Sequence, residues 1–261
     1  DAIEWKVLFC WSDNISNNFC RYCVHYKFFI TTFATKKNTT TMIFPEFLQQ
    51  GDLITIVSPS GAIDGEVLEQ AAAAIRRLGY SVKIAEHAKG KHHRFSATDE
   101  ERLADLQSAL DNPHTRVILC GRGGYGLTRI VDRLDFSKFI ENPKFVVGFS
   151  DITALHAALL TKAKCCSVHG QMAKAFVGYD ATLDKKDAEN PEVAESVEEL
   201  LNILTGVRRR QTYFSYNQRS RVARDKVKGR LFGGNLSLIY ALRGTDLDIT
   251  KQSGILYIED I

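Results

Sequence analysis

A serine at the end of an apolar run is the first candidate for chemistry in this sequence. Ser150 follows a strand-like apolar stretch and precedes apolar residues at helical spacing. A serine at such a turn projects its hydroxyl from the end of a sheet, and Gly148 two positions earlier permits a close backbone approach. The usual pattern has a second glycine where this chain has Ile152. The spacing indicates a nucleophile elbow, and the alternative is that Ser150 or Asp151 simply caps a helix.

A glycine-rich stretch stands one predicted strand earlier. Gly121-x-Gly123-x-x-Gly126 lies between an apolar strand, 117–120, and a predicted helix that runs through Leu134. The spacing is formally a dinucleotide fingerprint, so an NAD-type oxidoreductase is one alternative. However, it follows the third predicted strand, and the next strand does not end in a lone acidic residue for a ribose. Glycines in such a turn can equally point N–H groups at a developing oxyanion, or serve only tight packing.

The elements around these residues predict how the two stretches meet. Four strands alternate with helices between residues 53 and 160. This order predicts an α/β fold with a doubly wound, mainly parallel sheet and right-handed crossovers. Loops at the carboxyl ends of such strands share one edge of the sheet. We therefore expect the Gly124 and Asp151 amides to lie together as an oxyanion hole beside Ser150.

The sequence divides into four segments. The first lacks sustained periodicity, and the composition changes abruptly at Met42, so we predict that the first segment is an appendage outside the fold. Strands dominate after Gly206, and the last apolar strand has no following element to cover it. The predicted segments are a disordered N-terminal extension (1–41), an N-terminal α/β domain with the nucleophile elbow (42–180), a linker and helix (181–210), and part of a β-rich α/β C-terminal domain that we expect to be incomplete (211–261).

Composition and charge argue against several classes of protein. The 261 residues are 44% hydrophobic and 25% charged, as in ordinary globular proteins. A net charge of +3 is too small to indicate a nucleic-acid partner, and we interpret the basic stretch Arg208–Arg210 as solvated surface. No apolar run reaches the roughly 18 residues that would predict a membrane span.

The cysteines give no metal site. Cys20-x-x-Cys23 with His25 nearby lacks a second pair of ligands, so we predict no bound metal. Cys120 and the pair Cys165-Cys166 lie in apolar runs and are expected to be buried thiols of a reducing compartment. A cytoplasmic location is therefore predicted.

Seven ordered motifs resemble those of the LD-carboxypeptidase family. These serine peptidases include the murein tetrapeptide carboxypeptidases and the microcin C self-immunity peptidases. The resemblance runs from about Met42 to Ile261 and does not cover residues 1–41. In chain order, the motifs are Ser58-Pro59-Ser60-Gly61, Arg94-Phe95-x-x-Thr98-Asp99-Glu100-Glu101-Arg102, Arg122-Gly123-Gly124-Tyr125-Gly126, Gly148-Phe149-Ser150-Asp151-Ile152-Thr153, His169-Gly170-x-Met172, Gly233-Gly234-Asn235-Leu236 and Ile258-Glu259-Asp260.

The resemblance implies a Ser-His-Glu triad. Matched motif by motif, Ser150 is the nucleophile and Glu259 orients the histidine. The family's histidine falls in a later Gly-His motif, which we expect beyond Ile261. The implied oxyanion-hole donors are the amides of Gly124 and Asp151. The implied substrate contacts are Arg122, Gly123, Tyr125 and Asn235.

None of the seven histidines occupies the position of that later motif. His169 precedes a glycine, but the resemblance assigns it to a block that is structural or near the substrate. His156 lies in the elbow helix and is expected to pack. Because a triad acts as a unit, loss of its histidine can cost about 10⁶ in turnover. We therefore predict little peptidase activity for these 261 residues.

The activity implied by the resemblance is hydrolysis of the L,D-amide bond to the terminal D-Ala of a murein tetrapeptide, in peptidoglycan recycling. It implies a small peptide substrate, no metal or cofactor, and a homodimer. The sequence does not specify the diamino acid at the cleavage site. The alternatives are an immunity-type peptidase acting on a peptidyl or aminoacyl nucleotide, the dinucleotide-binding oxidoreductase, and a non-catalytic protein that binds peptide ends.

Overall fold

The fold is described by a computed structural model for residues 42–184, 188–207 and 229–260. The strand predicted at 212–216, the basic stretch 208–210 and the cysteines of residues 1–41 lie outside this part of the chain. The helices and strands are β1 (Leu53–Val57), α1 (Gly65–Arg77), β2 (Ser81–Ile84), α2 (Asp99–Asp111), β3 (Thr115–Cys120), α3 (Ser137–Glu141), β4 (Phe145–Gly148), α4 (Thr153–Ala158), β5 (Val168–His169), α5 (Pro191–Leu204), β6 (Leu231–Asn235), α6 (Leu236–Ala241) and β7 (Ile255–Glu259).

Five parallel strands form the main sheet in the order β2-β1-β3-β4-β5. The predicted parallel α/β sheet is thus confirmed. The strand order reverses between β1 and β3, and loops that leave such a switch point form a crevice at the carboxyl edge of a sheet. β4 pairs with β3 on the side of β3 that faces away from β1, through Val117 with Phe145 and Leu119 with Val147. The loops after β1, β3 and β4 therefore meet at one place.

The helices that flank this sheet begin and end at residues suited to those positions. Asp64 caps α1 by accepting a hydrogen bond from the Glu66 amide at 2.9 Å. A capping box begins α2, because Thr98 and Glu101 each bond the backbone of the other. The buried face of α1 packs on the sheet and extends the core formed by the strands.

The predicted helix through Leu134 is wrong. After Gly126 the chain forms two short 3₁₀ helices, Leu127–Arg129 and Val131–Arg133. Gly126 has φ of +129°, which an α-helix does not accept, and Ile130 breaks the path again with φ of −127°. The Leu127 amide, at the start of the first of these 3₁₀ helices, donates to the carboxylate of Asp151 at 2.9 Å.

A second, two-stranded parallel sheet pairs β6 with β7. It contacts α4, because the Asn235 amide donates to Thr153 Oγ1 at 3.0 Å. Gly234 lies flat against the same threonine, where an added Cβ would come within 2.5 Å of Thr153 Oγ1. The end of β6 is thereby fixed to the first residue of α4. No helix in the described ranges is long and apolar enough to cross a membrane.

Candidate active site

Ser150 has the backbone geometry predicted for an elbow. Its φ of +62° places it in the left-handed region, which costs a non-glycine residue about 1–2 kcal/mol. β4 ends at Gly148, and Ser150 begins a single 3₁₀ turn that continues into α4. An added Cβ on Gly148 would lie 2.8 Å from Ile152 Cγ1. The isoleucine that replaces the second glycine of the usual pattern therefore packs directly over the first.

The glycine loop, residues 121–127, lies against this serine. A Cβ added to Gly123 would be 2.9 Å from Ser150 Cβ and 3.1 Å from its Oγ, so only glycine allows the approach. Gly124 adopts φ of +117° in the same turn. In the described ranges, the Gly124 and Asp151 amides and Ser150 Oγ form no hydrogen bond with protein atoms. The predicted meeting of loop and elbow is present, with these amides available to an oxygen.

Asp151 is buried completely although it adjoins the serine. Its Oδ2 accepts hydrogen bonds from Ser60 Oγ at 2.6 Å and from the Leu127 amide at 2.9 Å. Its charge raises the pKa of the Cys120 thiol further, after the larger effect of burial. Asp151 therefore connects the elbow to the loop after β1 and to the glycine loop.

Glu259 lies in β7 directly opposite Asn235 of β6. Burial raises the pKa of its carboxyl above the usual value, and a hydrogen bond from Asn235 offsets part of that rise. Its buried Oε1 has no hydrogen-bond partner among the residues that the structure describes. Glu259 pairs with Asn235, and the Asn235 amide bonds Thr153, so these two contacts link Glu259 to the helix that follows the elbow.

The Asn235 side chain has structural partners at both ends. Its Oδ1 accepts the Leu238 amide at 3.2 Å as the cap of α6, and its Nδ2 donates to Asp260 at 3.2 Å. Asn235 is also 6% exposed. A substrate contact by this side chain remains a prediction, and its structural role is to join β6, α6 and the residue after β7.

The other predicted substrate residues form an exposed rim. Arg122 is exposed and donates from Nη1 to the Ala62 carbonyl at 3.0 Å. Tyr125 is 47% exposed, and the guanidinium of Arg94 lies 5.9 Å from the centre of its ring. The ring of Phe95 lies 6.1 Å from that of Tyr125. The rim thus combines arginines with an accessible aromatic surface.

The described histidines have partners other than Ser150. His156 Nε2 donates to the Gly148 carbonyl at 2.8 Å, and burial lowers the pKa of His156 to about 4. Burial likewise lowers the pKa of His169 to about 3, and its ring lies 6.0 Å from that of His156 and 5.6 Å from that of Tyr257. His87 bonds Asp105 at 3.0 Å. The packed role expected for His156 is present.

His156 and His169 line a cavity of about 70 Å³ between α4 and the second sheet. Cys165, Cys166 and Tyr257 contribute to its wall, and Ser150 does not. Across the described ranges, no group of three or more His, Cys, Asp or Glu side chains could hold a metal ion.

Sequence reasoning missed two residues that the site depends on, Arg102 and Ser60. Arg102 is 1% exposed and donates from Nη1 to the carbonyls of Pro59 and Gly126. Ser60 donates to Asp151 as described above. Both lie inside motifs that carried the family resemblance, so their positions in those motifs were the available signal.

Comparison with solved structures identifies the class of fold. The microcin C7 self-immunity protein MccF, solved in complex with aspartyl sulfamoyl adenosine, matches with a TM-score of 0.68 at 23% identity. The match covers 84% of this chain and 71% of that one. This chain therefore has part of the fold of that two-domain protein.

Sequence comparisons then give the family. Residues 54–170 match the family described as "LD-carboxypeptidase N-terminal domain". A Bacillus subtilis protein named "Probable murein peptide carboxypeptidase" is 31% identical over 221 residues, which cover 83% of this chain and 65% of that protein. A carboxypeptidase relative from Streptomyces coelicolor is 31% identical over 225 residues, which cover 84% of this chain and 68% of that protein. The chain belongs to the LD-carboxypeptidase family, and it spans about two thirds of the length of these relatives.

Proposed function

We propose that the Ser150 site hydrolyses the amide bond to the terminal D-Ala of murein tetrapeptides. The observation that carries this proposal is the contact between the elbow and the glycine loop. There Gly123 packs on Ser150, and the neighbouring amides of Gly124 and Asp151 form no backbone hydrogen bond within the described ranges. Ser150 would attack the scissile carbonyl, and the two amides would stabilise the oxyanion of the tetrahedral intermediate. Arg122, Gly123 and Tyr125 would contact the peptide.

Glu259 is the proposed orienting carboxylate for a general base. Its buried, unpartnered Oε1 could accept an imidazole N–H, which would hold the base in the required tautomer. His156 uses Nε2 on the Gly148 carbonyl, and His169 faces a cavity that Ser150 does not line, so we assign the base to neither. We accordingly expect these 261 residues to bind tetrapeptide and to turn it over slowly.

The test is D-Ala release from murein tetrapeptides that carry either meso-diaminopimelate or L-lysine, measured by mass spectrometry. Ser150→Ala should abolish the slow release, while Ser237→Ala, which changes an exposed hydroxyl on α6, should not. Release that survives Ser150→Ala would rule out the serine mechanism. Turnover in the ordinary enzymatic range of about 1–10³ per second would instead contradict the expected lack of a base.

An aminoacyl or peptidyl nucleotide is the second candidate substrate. The exposed ring of Tyr125 beside Arg94 favours it, because such a surface can stack on a base while the guanidinium meets a phosphate. Titration with aspartyl sulfamoyl adenosine and with a murein tetrapeptide separates the two. Tighter binding of the nucleoside analogue, lost in Tyr125→Ala, would favour the second substrate.

The oxidoreductase alternative has less support. The glycine loop leads into a three-residue 3₁₀ helix, Leu127–Arg129, so it does not open the α-helix whose N-terminus binds a pyrophosphate. NAD binding that is indifferent to Ser150→Ala would restore this alternative.

A further inference from the structure

Two buried side chains of opposite charge connect the same pair of loops beside Ser150. The first loop, residues 58–61, follows β1, and the second is the glycine loop. Arg102 reaches both from α2, and Asp151 reaches both from the elbow. Arg102 is 1% exposed and Asp151 is 0% exposed.

Arg102 bonds the carbonyl groups of the two loops. Its Nη1 donates to the Pro59 carbonyl and, at 3.1 Å, to the Gly126 carbonyl. The guanidinium is held in place by Asp99, which accepts from Nη2 at 2.5 Å, and by the ring of Phe95, whose centre is 4.8 Å away. A planar guanidinium with several fixed donors suits such a double contact.

Asp151 bonds the donors of the next residue in each loop. Its Oδ2 accepts from Ser60 Oγ and from the Leu127 amide. The cation thus bonds residues 59 and 126, and the anion bonds residues 60 and 127. Two consecutive positions of each loop are fixed from two sides.

This arrangement is expensive for a purely structural link. Arg102 Nε and Asp151 Oδ1 are buried without a hydrogen-bond partner in the described ranges. Removing a charged group from water is destabilising when its hydrogen bonds to water are not all replaced. Neutral groups could join two loops with less loss, so the geometry points to a requirement for exact loop spacing.

We propose that Arg102 and Asp151 are positioning residues that set the oxyanion hole by fixing the first loop and the glycine loop relative to Ser150. The inference rests on the function proposed above. Gly124, one proposed donor, lies two residues before Gly126, and Gly123 is joined to the first loop by the Gly61 amide, which donates to its carbonyl at 3.2 Å. The other proposed donor is the amide of Asp151 itself.

A tripeptide boronic acid, with boron in place of the scissile carbonyl carbon, tests this without needing turnover. Ser150 Oγ adds to the trigonal boron, an O–B bond forms, the hydroxyl proton passes to solvent, and the boron becomes a tetrahedral anion. Affinity is measured by calorimetry and the adduct by boron NMR. The tripeptide with an ordinary carboxylate, which cannot form the adduct, reports ground-state binding.

Loss of the loop contacts of Arg102 or Asp151 should lower the affinity for the boronic acid much more than the affinity for the unreactive tripeptide. In Arg102→Met and Asp151→Asn, boronate affinity should fall about 100-fold, because a small misplacement of oxyanion donors is felt fully by the tetrahedral anion. Affinity for the unreactive tripeptide should stay within about twofold, since that ligand does not use the donors fully. Arg102→Lys should restore part of the loss.

Lys144→Met is the matched control. Lys144 is another fully buried cation that donates to a backbone carbonyl, that of Leu110 at 2.6 Å, but it lies before β4 at the end remote from Ser150. It should lower stability and leave both affinities unchanged. If Arg102→Met and Asp151→Asn do not fold, Ser60→Ala replaces them as the test. It removes only one neutral donor to Asp151 and should lower boronate affinity about tenfold.

The outcomes are distinct. Equal losses of boronate and tripeptide affinity, or unchanged boronate affinity in folded variants, would overturn the positioning role. If the parent chain forms no boron adduct, the proposed function fails instead. Amide hydrogen exchange in residues 121–127 then tests separately whether Arg102 and Asp151 fix the glycine loop. Arg102→Met and Asp151→Asn should accelerate exchange there, and Lys144→Met should not.

Discussion

Gly123 is the residue whose lack of a side chain most directly shapes the space around Ser150. Its φ is not positive, so Gly123→Ala adds a methyl group without backbone strain of the left-handed type. That methyl group would lie 2.9 Å from Ser150 Cβ and 3.3 Å from the Phe149 carbonyl, so the loop must shift. We expect boronate affinity to fall about 100-fold, because the Gly124 amide moves with the loop.

Gly229→Ala is the control for that substitution. Its added Cβ meets nothing closer than 3.4 Å, and its φ is also not positive. Unchanged boronate affinity in Gly123→Ala would show that the loop can move without disturbing the oxyanion donors. That result would weaken the role assigned to the glycine loop.

The two buried histidines predict how stability depends on pH. Burial lowers the folded-state pKa values of His156 and His169 to about 4 and about 3, from an ordinary 6.5. Below pH 6.5 the unfolded chain therefore binds more protons than the folded chain. Stability should be complete above that pH and should fall as the pH decreases toward the folded values, by about 2 kcal/mol per histidine at pH 5.

His169→Phe isolates one of these contributions. His169 lies against the rings of Phe149 and Tyr257, so a phenyl ring keeps the aromatic packing and removes the titrating group. Urea unfolding at pH 7 and pH 5 should show a difference smaller by about 2 kcal/mol than in the parent chain. His114→Gln, at an exposed loop position, is the control. An identical pH difference in His169→Phe and the parent would contradict the argument.

At the scale of elements, α2 links a local capping motif to the active site. Thr98 and Glu101 fix its first turn, and Arg102 follows immediately. Thr98→Ala should lower the free energy of unfolding by about 1 kcal/mol, the usual cost of losing an N-cap, and should shift the thermal midpoint downward. Glu101→Gln keeps both partners of a capping box and should cost less. Equal losses in the two variants would mean that the charge of Glu101 contributes as much as the hydroxyl of Thr98.

Local patterns were sufficient for much of this fold. The strand before Ser150 and the elbow depend on neighbours in sequence, and they appear as predicted. The helix predicted after Gly126 is replaced by two 3₁₀ turns that are interrupted at Ile130, where φ is −127°, and the Leu127 amide bonds the distant Asp151. Such a contact leaves no trace in periodicity.

Arg102 shows why part of the site was missed. It follows Asp99-Glu100-Glu101, and a charged first turn of this kind is typical of a solvated helix face. The structure instead buries the guanidinium between two loops that are 43 and 24 residues away in sequence. Only the family motif, and not the charge pattern, marked this residue.

At the scale of the whole molecule, the second sheet is fixed to the elbow through Thr153. Its buried Oγ1 accepts the Asn235 amide at 3.0 Å, and Asn235 pairs with Glu259 across β6 and β7. The position of the proposed orienting carboxylate therefore depends on one hydroxyl group three residues after Ser150. This contact joins the second sheet to the elbow helix α4 at the place where the proposed chemistry needs both.

Thr153→Val tests that dependence because it removes the acceptor and keeps the shape of the side chain. The Asn235 amide would remain buried without a partner, at a cost of about 1–3 kcal/mol. Amide exchange should accelerate in residues 231–235 and 255–259 and stay slow in β1 and β3. Thr55→Val is a matched control, since Thr55 is a buried threonine whose hydroxyl bonds Thr115 at 2.8 Å within the main sheet. If Thr153→Val left exchange in the second sheet unchanged, packing of Gly234 on Thr153 would be sufficient to hold the sheets together, and the hydroxyl would not set the position of Glu259.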